Sequence, residues 1–252
     1  MLQSSNGHRP GWHALGPILT LLGLLLLLLS PVGYRLGWFG VPIALLRLIP
    51  LGLIVCGLGL IVSLVALVRT PAGVGWSGST MQVAAIVVSI AVCIMPIIGI
   101  VHARHVPPIH DITTDTDMPP AFVALAAERI AAPNGLEYGG AEVAAAQKQA
   151  YPDVVTLYSP LSADAMFARA EKAARESGWD VVDANGSQLR IEAVDTTLLF
   201  GFKDDIVVRI RSDAAGSRLD VRSVSRVGHS DLGVNAARIR KYLAMLKATP
   251  AG

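Results

Sequence analysis

The sequence predicts an α+β protein in two parts: three transmembrane helices, then a two-layer domain with an antiparallel sheet of about four strands flanked by two helices. Three observations predict it. Charge is segregated: residues 1–104 hold no Asp or Glu and only Arg9, Arg35, Arg47, Arg69 and Arg104, while all 19 acids lie in 105–252. Three runs in the first part are apolar for roughly 20 residues, enough to cross a hydrocarbon core about 30 Å thick. In the second part, apolar residues alternate at period two in some segments and recur at helical spacing in others.

The membrane block, residues 1–104, places its helices at about 15–33, 48–68 and 82–102. Trp12, Trp38 and Trp76 flank the spans, where amphipathic rings prefer the headgroup layer. Pro50 sits near a first turn, where a missing N–H costs little. Pro96 lies inside the third span and predicts a kink. After the first span comes Ser30-Pro31-Val32-Gly33-Tyr34, which lacks a small-x-small cleavage site, so this span reads as retained. Inside the spans there is no acid or Lys, and only Arg47 and His102 lie at an edge. That absence disfavours ion or proton transport and favours an anchor. Gly52, Gly57 and Gly59 are expected to let helices approach closely. Arg9, Arg69 and the N-terminal amine fall on one side, and Arg35, Arg47 and Arg104 on the other, so charge bias leaves orientation undecided.

Residues 105–150 read as a Pro/Ala-rich linker. Two Pro-Pro pairs and a Thr/Asp cluster suppress helix up to Pro120, and an alanine-rich stretch follows. His102, His105, His110 and Asp111 match no metal-ligand spacing, so neither a metal nor another cofactor is expected. Cys56 and Cys93 both fall in apolar runs, which leaves the second part without a disulfide framework.

The soluble α+β domain is expected over residues 151–252, its core beginning near Tyr151. Ser162 can cap a helix over 163–177, ended by Gly178, with Met166, Phe167, Ala170 and Ala174 on its apolar face. A strand over 179–183, the turn Ala184-Asn185-Gly186 and a strand over 187–194 form a first hairpin. A second hairpin turns at Asp213–Gly216. Pairing Ser212 with Ser217 sets Ile210 opposite Leu219, Val208 opposite Val221 and Arg209 opposite Asp220, a register that keeps one face apolar. It also sets Asp204 and Asp205 opposite Ser225 and Val224. A last helix over 231–247, capped by Ser230 or Asp231, carries Leu232, Ala236, Ile239, Leu243 and Leu246 on one face.

Net charge splits within this part, at −8 over 105–202 and +5 over 203–252. Two such segments neutralise each other when they pack. The overall +2 averages two solvents and gives no ground for a nucleic-acid partner.

The run from Arg222 to Asn235, with Gly201-Phe-Lys-Asp-Asp205 before it, resembles the family called domain of unknown function 1499. The matching words are GF-x-DD before the third strand, RS-x-SR-x-G closing the fourth, and SDLGVN-x-x-RI opening the last helix. Pro108-Ile-His-Asp111 and Tyr151-Pro-Asp153 are similar to upstream parts of its proteobacterial members. The resemblance covers roughly residues 107 to 247. It implies relatives of the bacterial envelope or chloroplast lumen, hence an inner-membrane protein with a periplasmic domain, and it implies no activity. The three-helix block departs from the many members that carry only a signal or lipoprotein anchor.

Two functions follow from the same segment. In one, Arg222, Ser223, Ser225, Arg226, Ser230, Asn235 and Arg238 form a cradle at a helix start for an anionic lipid or glycan, or for an envelope protein partner. Asp204, Asp205 and Asp231 are then structural ion-pair partners of those arginines. In the other, Asp204, Asp205 and His229 are an acid–base site of a hydrolase or transferase. His229, Ser230 and Asp231 are adjacent in sequence, which is not how a catalytic triad converges, so no catalytic residue is assigned among them.

Overall fold

The computed structural model describes residues 12–69 and 76–248, and the chain divides into two compact units, Met1–Val101 and His102–Gly252. In the first unit, α1 (Trp12–Arg35) packs against α3 (Ile49–Arg69). The short α2 (Val41–Ile43) leads through a π-helical stretch, Ala44–Leu48, into α3, and α4 (Trp76–Ala103) follows. Among the described residues, three helices are long and apolar enough to cross a membrane: Ala14–Arg35, Val41–Arg69 and Ser79–Ala103. A Cβ added at Gly16, Gly23 or Gly59 would collide with Ser63, Cys56 or Thr20, so small residues make the α1–α3 contact. Gly52 meets Leu27 in the same seam. Gly57, expected to do likewise, has open space around it and packs nothing. Thr20 and Ser89 hydroxyls, 3.0 Å apart, tie α1 to α4. Arg9 and the side chains of Trp12 and Trp76 lie outside the described residues.

The second unit runs β1 (Asp111–Thr113), α5 (Ala126–Ala131), α6 (Gly140–Ala150), β2 (Leu157–Ser159), α7 (Ala163–Glu176), β3 (Asp180–Asn185), β4 (Arg190–Thr196), β5 (Lys203–Asp213), β6 (Gly216–Ser225) and α8 (Val234–Ala248). The fold is α+β. Its antiparallel sheet has six strands in the order β1-β6-β5-β4-β3, with β2 also paired to β6. The two strands beyond the expected four are three-residue pieces on the free edge of β6, too short to show a period.

β5 and β6 pair with Ile210 opposite Leu219, Val208 opposite Val221 and Arg209 opposite Asp220. Gly216 closes the turn at φ +139, against the Ser159 and Pro160 backbone, where a Cβ would not fit. The first hairpin differs from expectation. Asn185 still pairs with Arg190, and the turn is Gly186–Leu189. Asn185 Oδ1 accepts from Ser187 Oγ and Gln188 N, and Leu189 takes φ +51, so the asparagine side chain lengthens the turn by residues read as strand.

One sheet face holds Ile112, Ile191, Ala193, Ile206, Val208, Ile210, Leu219 and Val221, and α7 and α8 cover it. Ser162 Oγ caps α7 by accepting from Ala165 N, and Met166, Ala170 and Ala174 point inward. Ala236, Ile239, Tyr242, Leu243 and Leu246 do so from α8, with Tyr242 Oη donating to the Ala170 carbonyl at 2.8 Å. Leu232, expected on that apolar face, precedes the helix at φ +55 and is exposed.

Residues 105–150, expected to be a linker ahead of a core starting near Tyr151, are part of the fold. Ile109 and Ile112 lie in the main core. The Gln147 side chain acts as an extra strand partner for β1, accepting from Thr113 N at 2.9 Å and donating to Thr113 O at 2.6 Å. Phe122 and Leu125 pack on Val194, Val207 and Val224 of the other sheet face. The proline-broken, polar sequence around this single short strand hides the role, because the segment is held by hydrogen bonds and charge more than by apolar area.

Candidate functional site

The second sheet face is built by alternation, and it is charged. Positions 111, 190, 192, 205, 209, 211, 220 and 222 all point to it, since each is one residue out of phase with the apolar face. Arg222 makes a two-pronged pair with Asp111, Nε to Oδ1 at 3.0 Å and Nη2 to Oδ2 at 2.8 Å, and donates to the carbonyls of Pro120 and Leu136. Its guanidinium also lies over the rings of Phe122 and Tyr138, at 5.3 and 5.6 Å. Asp205 receives Arg226 (2.8 Å) and Arg129 (3.4 Å). Burial pulls the Arg129 guanidinium below its ordinary pKa, and the adjacent Asp205 opposes that shift.

Glu192 is fully buried. One of its oxygens accepts from Val123 N and Ala124 N at 2.8 and 3.1 Å, the other from Leu125 N at 2.9 Å, and Arg190 Nε is 2.8 Å away. It thus holds the turn that leads into α5. At the far end of the same face, Asp220 takes Arg209 and Arg211 on Oδ2 and Thr156 and Thr114 on Oδ1. Asp115 Oδ2 sits on the same two arginines.

Burial alone would raise the Asp220 pKa, but the hydrogen bonds from Thr156, Arg209 and Arg211 outweigh it and hold the carboxyl below the ordinary 3.8. A depressed folded-state pKa contributes stability that is present above 3.8 and lost as pH falls through the folded value. Acid unfolding of the full chain should therefore steepen below about pH 3.8, and Asp220→Asn should flatten that limb. An unchanged limb in the variant would show that Asp220 is not the group responsible.

The helix-covered face ends in a separate cluster. Arg238 pairs with Asp204 at 2.6 Å and Asp195 at 2.8 Å, and it donates to Ser223 Oγ at 3.0 Å and to Asn235 Oδ1. Ser223 Oγ donates to Asn235 Oδ1, while Asn235 Nδ2 donates to Ser225 Oγ and to the His110 carbonyl. This asparagine joins α8, β6 and the chain leading into β1.

The segment Arg222–Arg238 is thus split by the sheet. Arg222 and Arg226 lie with the second face, and Ser223, Ser225, Asn235 and Arg238 with the first. They do not converge on one cradle, because strand alternation sends neighbours to opposite sides. Asp204 and Asp205 are ion-paired, also on opposite faces. Among the described residues Asp231 has no ion-pair partner: its two oxygens accept from Gly233 N and Asn235 N, both at 2.8 Å, at the start of α8. Burial raises its pKa, with Asp204 adding to the effect. Ser230 Oγ accepts from Leu232 N, and the His229 side chain is exposed.

Sequence reasoning missed Asp111, Arg129 and Glu192. The first two lie in the stretch read as linker, and Glu192 sits on a strand face that period two alone assigns to solvent. The charge split was the available signal. Asp111–Arg222, Asp115–Arg209, Asp153–Arg240 and Asp195–Arg238 all join the acidic segment to the basic one.

Two hollows adjoin these clusters. One, of about 310 Å³, is lined by Ser177, Trp179, Asp195, Val234, Ala237, Arg238 and Lys241. The other, of about 250 Å³, lies over Arg222 between Phe122, Leu136 and Tyr138. Burial there pushes the Tyr138 phenol up to about 12, so it stays protonated. Among the described residues, no group of three or more His, Cys, Asp or Glu is placed to hold a metal ion.

Residues 111–246 match the family described as "Protein of unknown function (DUF1499)". The chain belongs to this family. The matched stretch begins at β1 and ends within α8, so it includes Asp111 and Arg129 as well as the arginine-rich segment. The family is one of unknown function, and three membrane-length helices precede its domain here. No curated protein and no solved structure matches the chain.

Proposed function

We propose that this protein is a non-catalytic binding module held in a bacterial inner membrane, whose periplasmic domain takes an anionic ligand in the groove between the start of β3 and α8. The groove beside Arg238 carries the reading. Trp179, Val234 and Ala237 give it an apolar wall, and Arg238 and Lys241 place cations along it. Arg238 is already matched by Asp195 and Asp204, so the exposed Lys241 ammonium supplies the charge for a ligand. An apolar wall beside a cation suits an anionic amphiphile, such as a lipid with a phosphate headgroup.

In this reading Arg222 and Arg226 serve the fold. The alternative, a hydrolase or transferase around Asp204, Asp205 and His229, finds little support. Both aspartates sit against arginines, and the His229 side chain is exposed. A general base needs a carboxylate within reach of substrate.

The test uses the full chain in detergent micelles, with Trp12, Trp38 and Trp76 replaced by Phe so that Trp179 alone reports. Short-chain phosphatidylglycerol should change Trp179 emission saturably, with affinity roughly tenfold weaker in Lys241→Glu. No saturable change, or the same change with phosphatidylcholine, would overturn the anionic-ligand reading. The family resemblance supports the periplasmic side. An alkaline phosphatase fused at the C-terminus, whose disulfides form only in the oxidising periplasm, should be active, and an inactive fusion would overturn that part.

A further inference from the structure

We propose that the β4–β5 loop, residues 197–202, is a second membrane contact that rests in the headgroup layer of the bilayer crossed by the chain's own helices. The loop reads Thr197-Leu-Leu-Phe-Gly-Phe202 and presents its two leucines to solvent, Leu198 at 91 % and Leu199 at 64 % exposure. It is a closed structure. Thr197 N donates to Phe202 O at 2.8 Å, Gly201 N to Thr197 O at 2.9 Å, and Phe202 N to Thr197 Oγ1 at 2.9 Å. Phe200 and Phe202 stack with ring centroids 5.1 Å apart. Exposed single leucines are ordinary, whereas two adjacent ones held out on a loop closed by hydrogen bonds form a contact surface.

The position of the loop selects the occupant. Thr196 and Lys203 close the β4–β5 ladder, and across the sheet from them Asp205 faces Val224, which faces Asp111. Ser225 N donates to the His110 carbonyl, so residues 102–110 enter the domain at the same end of the sheet from which the loop projects. Two to three strand spacings separate the two, roughly 10–15 Å. The His102 ring lies 2.9 Å from the Leu232 carbonyl, and Leu232 and Val234 add exposed apolar side chains at this end.

Residue 102 also belongs to a helix of membrane-crossing length, Ser79–Ala103. Only residues 104–110 separate that helix from β1, and so short a tether raises the effective concentration of lipid for this end of the domain. Charge agrees. Segments 102–110 and 197–203 carry Arg104 and Lys203 and no Asp or Glu, which suits anionic headgroups. Apolar side chains flanked by cations are the pattern of interfacial attachment. This inference does not depend on the groove at Arg238.

The test is depth-dependent quenching in the full chain, with Cys56 and Cys93 replaced by alanine. A single cysteine at Leu198, or at Ala214 in the β5–β6 turn at the opposite end, carries an environment-sensitive fluorophore. The protein is reconstituted into phosphatidylethanolamine–phosphatidylglycerol vesicles containing headgroup-region nitroxide lipid. The probe at 198 should be blue-shifted and lose emission to the nitroxide, while the probe at 214 should not. Equal quenching at the two sites would overturn the proposal. So would a blue shift at 198 without nitroxide quenching, since a protein surface would then cover the loop.

Discussion

Asp205→Ala is expected to destabilise the domain by about 3–5 kcal/mol, the cost of removing one partner from a buried ion cluster. Asp205 has no exposed surface and is the carboxylate against which both Arg129 and Arg226 rest. Arg129 is itself fully buried, and its other contacts are carbonyls of Val224, Asn134 and Gly135 and the Phe122 ring. Without Asp205 its charge stays buried with only the weaker pull of Asp111, which Arg222 already occupies. Asp205→Asn keeps acceptor oxygen and should cost less, which separates the charge from the shape of the site. Denaturant unfolding of the full chain, followed at Trp179, reads both. A change below about 1 kcal/mol for the alanine variant would mean that Arg129 finds water or a new partner.

Glu192→Ala has the next largest expected effect, about 3 kcal/mol or more, because three backbone N–H groups lose their acceptor together. Val123, Ala124 and Leu125 have a carboxylate in place of the carbonyls that a longer helix would offer. Loss of Glu192 should release the 119–136 cover from the sheet before the rest of the domain opens. Hydrogen exchange measures this directly: amides 123–125 should lose protection while those of β5 and β6 keep theirs. Uniform loss over the domain would show that the cover and the sheet open as one unit.

The helix-covered half of the domain is legible in the sequence. Ile206, Val208 and Ile210 alternate cleanly, Asp213–Gly216 is a strong turn, and one pairing puts these three with Leu219 and Val221 on one side. The three spans are legible for a simpler reason, since composition alone sets them apart. The second face is not. Only the hairpin pair Arg209–Asp220 could be read there; the residues of this face alternate with apolar ones as solvent-facing residues do, and the remaining partners stand far away in sequence, Asp111 being 111 positions from Arg222. Local period carries no trace of such a pair. The covering segment adds few apolar residues beyond Phe122, Leu125 and Leu136, so nothing in its pattern separates it from a tether. The supposed single cradle of Arg222, Arg226 and Arg238 fails on parity, because residues 222 and 223 of one strand must face opposite ways.

The pair Asp111–Arg222 tests most directly whether the arginine-rich segment is the framework of this fold. It joins the first strand of the domain to its central ladder, and both side chains are almost wholly buried. The measurement is a double-mutant cycle on the unfolding of the full chain, with Asp111→Leu, Arg222→Met and the two combined. If Arg222 is framework, each single variant loses about 3–5 kcal/mol and the double variant loses much less than their sum, because no charge is left unpaired. If Arg222→Met unfolds like the parent chain, Arg222 is not holding the sheet and its charge is available to a ligand instead.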